Sequence, residues 1–277
     1  MSDQTHAAEL ARALGEGHGM VGQRLLSETD AVRVWRIELA PGERVGFQGL
    51  TRLRTACRLR EFPPAPAKAA LQEDFETSPQ GVVGEHRVGP GQTGQGLVLD
   101  MPDGRLDLDV KALGPLAAGT VEWWVKPRPA AQVWLDQGWH YFLHGAPATP
   151  GGCRLDLSRH PSTQLQLTLA VGDRKESLQV PTNSLDPQQW HHLLVSWDLR
   201  GERQYLWLLV DGKGYQSFFP AEAGVHAGFT PLQFSALQFG NTPSEDNTPL
   251  LPMDGAIDGI RVSATSLAER LVGEGGQ

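Results

Sequence analysis

Gln189-Trp190-His191-His192-Leu193-Leu194-Val195-Ser196-Trp197-Asp198 runs, after a charged turn, into Tyr205-Leu206-Trp207-Leu208-Leu209-Val210-Asp211-Gly212-Lys213-Gly214-Tyr215. Two apolar runs of strand length bounded by turn signals read as strands, and Asp-Gly favours the positive φ of a tight hairpin turn. This stretch therefore sets an antiparallel β architecture. It names no reaction.

The pattern continues on both sides. Gly119–Pro127, Trp139–Leu143, Cys153–Leu157, Gln164–Val171 and Glu176–Val180 precede or flank it, and Gly214–Phe219, Leu232–Phe239 and Gly255–Ser263 follow. Gly-Asp, Asp-Pro, Asp-Gly and Asn-Thr-Pro turns separate them. About ten to twelve short strands with such turns predict an all-β, two-sheet antiparallel jelly-roll sandwich. Ser266–Val272 reads as a short closing helix.

The N-terminal part reads differently. Ser2–Leu14 predicts a short helix capped by Ser2 or Asp3 and stopped at Gly15-Glu16-Gly17-His18-Gly19. Ala31–Leu39 and Thr51–Arg60 alternate as strands, and in the second Arg52, Arg54, Arg58 and Arg60 share one face. Phe62–Ala70 is a stiff Pro/Ala-rich linker. The expected division is an N-terminal helix and β-strand arm over 1–66 and a jelly roll over 71–277. A sheet as small as the arm's is marginal alone, so it must pack on the main body or on a neighbour.

The chain has 277 residues, 32 glycines, 20 prolines and a net charge of −8, which disfavours a nucleic-acid-binding role. Val21–Phe62 carries eight arginines against five acids, a local balance of +3 that leaves −11 elsewhere. A basic arm on an acidic body favours contact between the two, or between copies. Two distant cysteines, Cys57 and Cys153, imply no disulfide framework. The first residues lack a signal peptide's features and no apolar run reaches the ~20 residues of a membrane span. The expectation is no membrane insertion and a cytoplasmic protein, or one exported by a non-classical route.

Several motifs, in order, carry a family resemblance. They are Glu73-Asp74-Phe75, Gly94–Leu99, Thr120-Val121-Glu122-Trp123-Trp124-Val125-Lys126-Pro127, Trp190-His191-His192, Leu209-Val210-Asp211-Gly212 and Gly255–Val262. Residues 71–274 resemble the laminin-G-like, concanavalin-A-like jelly-roll modules. Val32–Glu43 resembles the opening strands of a cupin, but Phe47-Gln48-Gly49-Leu50 stands where that family's metal-binding histidines would follow. The arm is thus a degenerate, cupin-like β segment. The laminin-G-like resemblance implies a structural Ca²⁺ where the first and last strands meet, with Asp74 and Asp258 at the matching positions.

Catalytic and metal chemistry find little support. Asp107 and Asp109 have the spacing of paired acids, but the alternating leucines around them turn both to water; glycoside cleavage needs two carboxylates about 5–10 Å apart across a groove. His191 and His192 are adjacent and face opposite ways, while His140 and His144 are expected on one face about 13 Å apart, too far to chelate. The catalytic set is therefore none. Trp134, Trp139, Tyr141, Tyr205 and Trp207 cluster in the sequence, and sugar rings stack on aromatic faces, so Trp139, Tyr141 and Trp207 are the carbohydrate-binding candidates. The primary expectation is a non-catalytic module that self-associates as a homo-oligomer through its arm, using Arg52, Arg54, Arg58 and Arg60. The alternatives are a lectin-like carbohydrate-binding module and a polysaccharide-cleaving enzyme.

Overall fold

A computed structural model describes the backbone of residues 24–28, 33–36 and 53–58 and most of residues 69–274. The exceptions in the latter range are 100–103, 129–138, 161–163, 173, 183–184, 187, 201–202, 221–228, 230 and 241–252. The chain divides into two compact units, Met1–Leu50 and Thr51–Gln277. In the smaller unit, β1 (Arg24–Glu28) and β2 (Arg33–Arg36) form an antiparallel pair. The expected helix at 2–14 lies outside the described residues, as do Arg52, Arg60 and Trp134.

The larger unit holds two sheets. Its strands are β3 (Leu53–Arg58), β4 (Leu71–Glu73), β5 (Val82–Val83), β6 (Arg87–Pro90), β7 (Gln95–Leu99) and β8 (Arg105–Leu108), then β9 (Ala118–Pro127), β10 (His140–Pro147), β11 (Arg154–His160) and β12 (Gln164–Val171). β13 (Arg174–Pro181), β14 (His191–Asp198), β15 (Arg203–Val210), β16 (Lys213–Pro220), β17 (Phe234–Gly240) and β18 (Gly255–Ser263) complete the set, before helix α1 (Leu267–Glu274). A seven-stranded sheet runs β13-β12-β11-β10-β17-β8-β5. A nine-stranded sheet runs β3-β16-β15-β14-β9-β18-β7-β6, with β4 also on β18. The named pairings are antiparallel, and the all-β sandwich is as the sequence predicts. The extra strands beyond the dozen expected are short pieces such as β4 and β5, too brief to show a period.

β3 pairs along its length with β16, Arg54 opposite Ser217 and Arg58 opposite Lys213 in the backbone register. The strand that the sequence assigns to the arm is thus the terminal strand of the nine-stranded sheet, and the compact units part at Leu50/Thr51, ahead of the Pro/Ala linker.

The two sheets bury one apolar core. Leu155, Leu157, Leu167, Leu169, Leu237 and Phe239 enter it from the seven-stranded sheet; Val121, Trp123, Val195, Trp197, Leu206, Leu208 and Ile257 enter from the other. Trp197 shows how closely it is fitted. Its Nε1 donates to the Leu116 carbonyl at 3.1 Å, its ring meets Phe234 edge-on, and a Cβ on Gly119 would stand 2.4 Å from it. Only a glycine leaves room for that indole.

The end of the chain closes over the sheet's outer face. Ser266 and Glu269 form a capping box: the Ser266 Oγ accepts from the Glu269 amide at 3.4 Å, and the Glu269 carboxylate accepts from the Ser266 amide at 2.7 Å. The Leu267 amide also donates to the Ser196 hydroxyl at 2.8 Å, tying the first turn of α1 to β14. Leu267 then packs with Leu194, Trp207 and Leu209 in a second, smaller apolar cluster.

Candidate functional site

Strand alternation sorts each sheet's side chains into an inner and an outer set. On the seven-stranded sheet the outer set is polar. Register aligns Asp107, Gln238, His144, Asp156, Thr168 and Ser177 in one row across β8, β17, β10, β11, β12 and β13. A neighbouring row carries Tyr141, Ser158, Gln166 and Gln179. Many of these polar side chains are nonetheless shielded: Asp156 is 8% exposed, Gln166 7% and Ser158 4%. They bond to one another. Gln179 Nε2 donates to Gln166 Oε1 at 2.8 Å, and Gln166 Nε2 to Thr168 Oγ1 at 3.1 Å. His144 Nδ1 donates to Asp156 Oδ1 at 2.5 Å, and Arg154 Nε stands 2.9 Å from Asp156 Oδ2. Arg105 grips Asp107 with two nitrogens, at 2.6 and 3.1 Å.

His144 reaches this surface because β10 is bulged. Tyr141 pairs with Ser158 but Leu143 pairs with Leu157, so Phe142 is the extra residue and both Phe142 and Leu143 are buried. The extra residue reverses the alternation. His140 consequently aligns with the fully buried Arg159, and His144 with Asp156 on the opposite face. This corrects the expectation that the two histidines share a face, which assumed an unbroken period of two.

The aromatic candidates separate. Tyr141 lies on β10 with Trp139 two residues before it, both half-buried. Trp207 lies on β15 of the other sheet, 6% exposed among Leu194, Leu209 and Leu267 and stacked on Tyr205 with ring centroids 5.4 Å apart. The structure places Trp139 just ahead of β10, on which Tyr141 lies, and does not bring Trp207 to them. Of the assembly candidates, Arg54 and Arg58 lie on β3.

Asp74 and Asp258 both line a cavity of about 340 Å³ on the outer face of the nine-stranded sheet. Glu76, Glu122, Trp124, His192 and Arg261 line it with them. Its floor is set by register, with His192, Trp124 and Asp258 in one row and Glu122 and Arg261 in the next. Arg270 of α1 reaches Glu122 at 3.4 Å, and His192 Nε2 lies 3.5 Å from the same carboxylate. Burial pushes the Glu122 carboxyl up; the His192 hydrogen bond and the charges of Arg270, His192 and Arg261 outweigh it and hold the group below its ordinary range. Asp258 goes the other way. Burial raises it, and neighbouring Glu76 adds to the rise, against hydrogen bonds from the amides of Thr93, Gly259 and Gln92.

Two of the carboxylates at this cavity are bonded by backbone amides. A calcium site offers six to eight oxygens at roughly 2.3–2.6 Å. Oδ2 of Asp258 instead accepts from the Thr93 amide at 3.0 Å, and Oε1 of Glu76 accepts from the Gln95 amide at 2.9 Å. Among the described residues no group of three or more His, Cys, Asp or Glu side chains converges to hold a metal. Asp258 staples the β6–β7 turn instead, and Gly91 permits the approach: a Cβ there would stand 2.7 Å from Oδ2.

His191, on the opposite side of β14 from His192, is structural. Its Nδ1 donates to Asp211 Oδ2 at 2.6 Å and its Nε2 to the Asp186 carbonyl at 2.8 Å. Sequence reasoning missed the His144–Asp156–Arg154 group and Glu122. The alternation of Asp156 and Ser158 with Leu155 and Leu157 was a visible signal for the first; nothing local pointed to the second, a lone acid in an apolar strand.

Comparison with known proteins agrees with this architecture. The chain belongs to the concanavalin A-like lectin/glucanases superfamily, whose laminin-G-type sequence pattern matches residues 100–272. Similar solved structures include the carbohydrate-binding module CBM40 of a Ruminococcus gnavus IT-sialidase bound to α2,3-sialyllactose. It is 14% identical, with 75% of this chain and 100% of that one covered and a TM-score of 0.45. An endo-1,3-β-glucanase from Streptomyces sioyaensis is 16% identical, with 72% and 98% covered and a TM-score of 0.41. The LG1-3 region of the laminin α2 chain is 10% identical, with 58% and 29% covered and a TM-score of 0.40. Comparison with curated proteins gives no match.

Proposed function

We propose that this protein is a non-catalytic carbohydrate-binding module whose glycan lies on the outer face of the seven-stranded sheet. The observation that supports this most is the polar surface itself. Two adjoining rows of carboxylate, amide, hydroxyl and imidazole groups cross the sheet, beside the aromatic pair Trp139 and Tyr141. Sugar recognition uses this combination of planar hydrogen-bonding groups for hydroxyls and an aromatic face for the ring.

Cleavage finds less support. Asp107 and Asp156, the acids of the first row, are separated by three strand spacings, about 14 Å. That exceeds the roughly 5–10 Å over which two carboxylates share a glycosidic bond. Asp109 is exposed and its Oδ1 accepts from the Lys111 amide at 3.0 Å. Self-association through the arm is the second reading: β3 pairs with β16 of its own chain on one side and ends the nine-stranded sheet on the other.

The test is a glycan array followed by titration of the best binder into wild-type protein and Tyr141→Ala. Loss of the ring contact weakens binding about two- to thirteenfold, from the ~0.5–1.5 kcal/mol of an aromatic contact. An array without binders, or an affinity untouched by Tyr141→Ala and Trp139→Ala, refutes the reading.

A further inference from the structure

Resting on that glycan-binding reading, we infer that the surface selects neutral sugars through adjacent hydroxyl pairs and discriminates against sugars bearing a carboxylate. The charges on the face carry the inference. Its two acids are each matched by an arginine: Asp107 by Arg105 in a two-nitrogen grip, and Asp156 by Arg154. Asp156 also holds His144. The rest of the two rows is uncharged: Gln238, Thr168, Ser177, Tyr141, Ser158, Gln166 and Gln179. Next to Arg154 the following row continues through Ala170 to Lys175, at the sheet's outermost strand. Lys175 is exposed, and it is the one cation of these rows among the described residues without an ion pair given by the geometry.

An arginine already bound to a carboxylate is a poor site for a second carboxylate, because the newcomer must break the pair and face the displaced acid. The same pair suits a diol. Each sugar hydroxyl both donates and accepts. An Arg–Asp pair sets donor N–H groups and acceptor oxygens side by side, matching two hydroxyls on neighbouring carbons. Arg154, partly exposed, and Asp156 beside Ser158 and Tyr141 form the better placed of the two pairs.

Oligosaccharides of the same linkage that differ only at C6 provide the test: α-1,4-linked galactose and galacturonate oligomers, and β-1,4-linked mannose and mannuronate oligomers, titrated into the full chain at low and high salt. The neutral member of at least one pair binds tenfold or more tightly than its acid counterpart. Its Kd changes less than twofold with salt, since no net charge is matched. Asp156→Asn and Arg154→Ala each weaken that neutral binding at least fivefold while the melting curve shows both variants folded. Preference for a uronate, with affinity that falls as salt rises and is lost in Arg154→Ala, overturns the inference but leaves glycan binding standing. No binding to any member of either pair, together with an empty glycan array, overturns both.

Discussion

Both ring nitrogens of His191 face acceptors, the Asp211 carboxylate and the Asp186 carbonyl, and only the protonated ring donates to both. Burial alone pulls this histidine down; the Asp211 and Asp186 bonds outweigh burial and raise it above its ordinary 6.5. A raised folded value means the stabilisation is full below the unfolded pKa and is lost as pH climbs through the folded one. The melting temperature therefore falls as pH rises above about 6.5, and the fall shrinks in Asp211→Asn; an equal fall in the variant contradicts this. Asp258 gives the second residue-scale prediction. Because backbone amides already bond this carboxylate, we expect chelator to leave the melting temperature unchanged and added calcium not to raise it. A shift of several degrees with either would show that carboxylates at this cavity do hold the ion. That Asp74 and Asp258 line one cavity accords with where the family resemblance put them. The amides of Gln92 and Thr93 were not, because a backbone donor leaves no mark in composition.

At the scale of elements, the closing helix was the most legible piece. Ser266 followed three residues later by Glu269 is a capping box in sequence and forms one in space. Ser266→Ala removes the cap and is expected to cost about 1 kcal/mol, read as a lower midpoint in chemical denaturation; no change in midpoint would place the anchoring in the Leu267–Ser196 bond alone. What was not legible is where such elements land. Trp207 looked like a partner for Tyr141 because both are aromatic and fall in the middle of the sequence, yet it lies on the other sheet, packed with Leu267. The bulge at Phe142 was equally hidden. One extra residue inverts everything downstream, so His144 rather than Leu143 meets Asp156, and no local pattern in Tyr141-Phe142-Leu143 announces it.

For the molecule as a whole, strand order and chain sense follow from a few ordered motifs, since apolar alternation and turn chemistry act over short distances. Trp123 and Ile257 of those motifs are core residues, while Asp74, Glu122, Trp124, His192 and Asp258 line the cavity on the nine-stranded sheet, so the motifs carry no residue of the seven-stranded sheet's outer face. Function depends on which outer face gathers polar groups, and that is set by pairings between strands remote in sequence, such as β8 with β17 and β17 with β10. Hydrogen exchange read by mass spectrometry, with and without a saturating glycan from the array, tests this most directly. The account predicts slowed exchange in peptides spanning 140–147, 154–160 and 164–171, and none in 118–127 or 255–263. Protection confined to the latter two would place the ligand at the Asp74–Asp258 cavity and contradict a glycan site on the seven-stranded sheet.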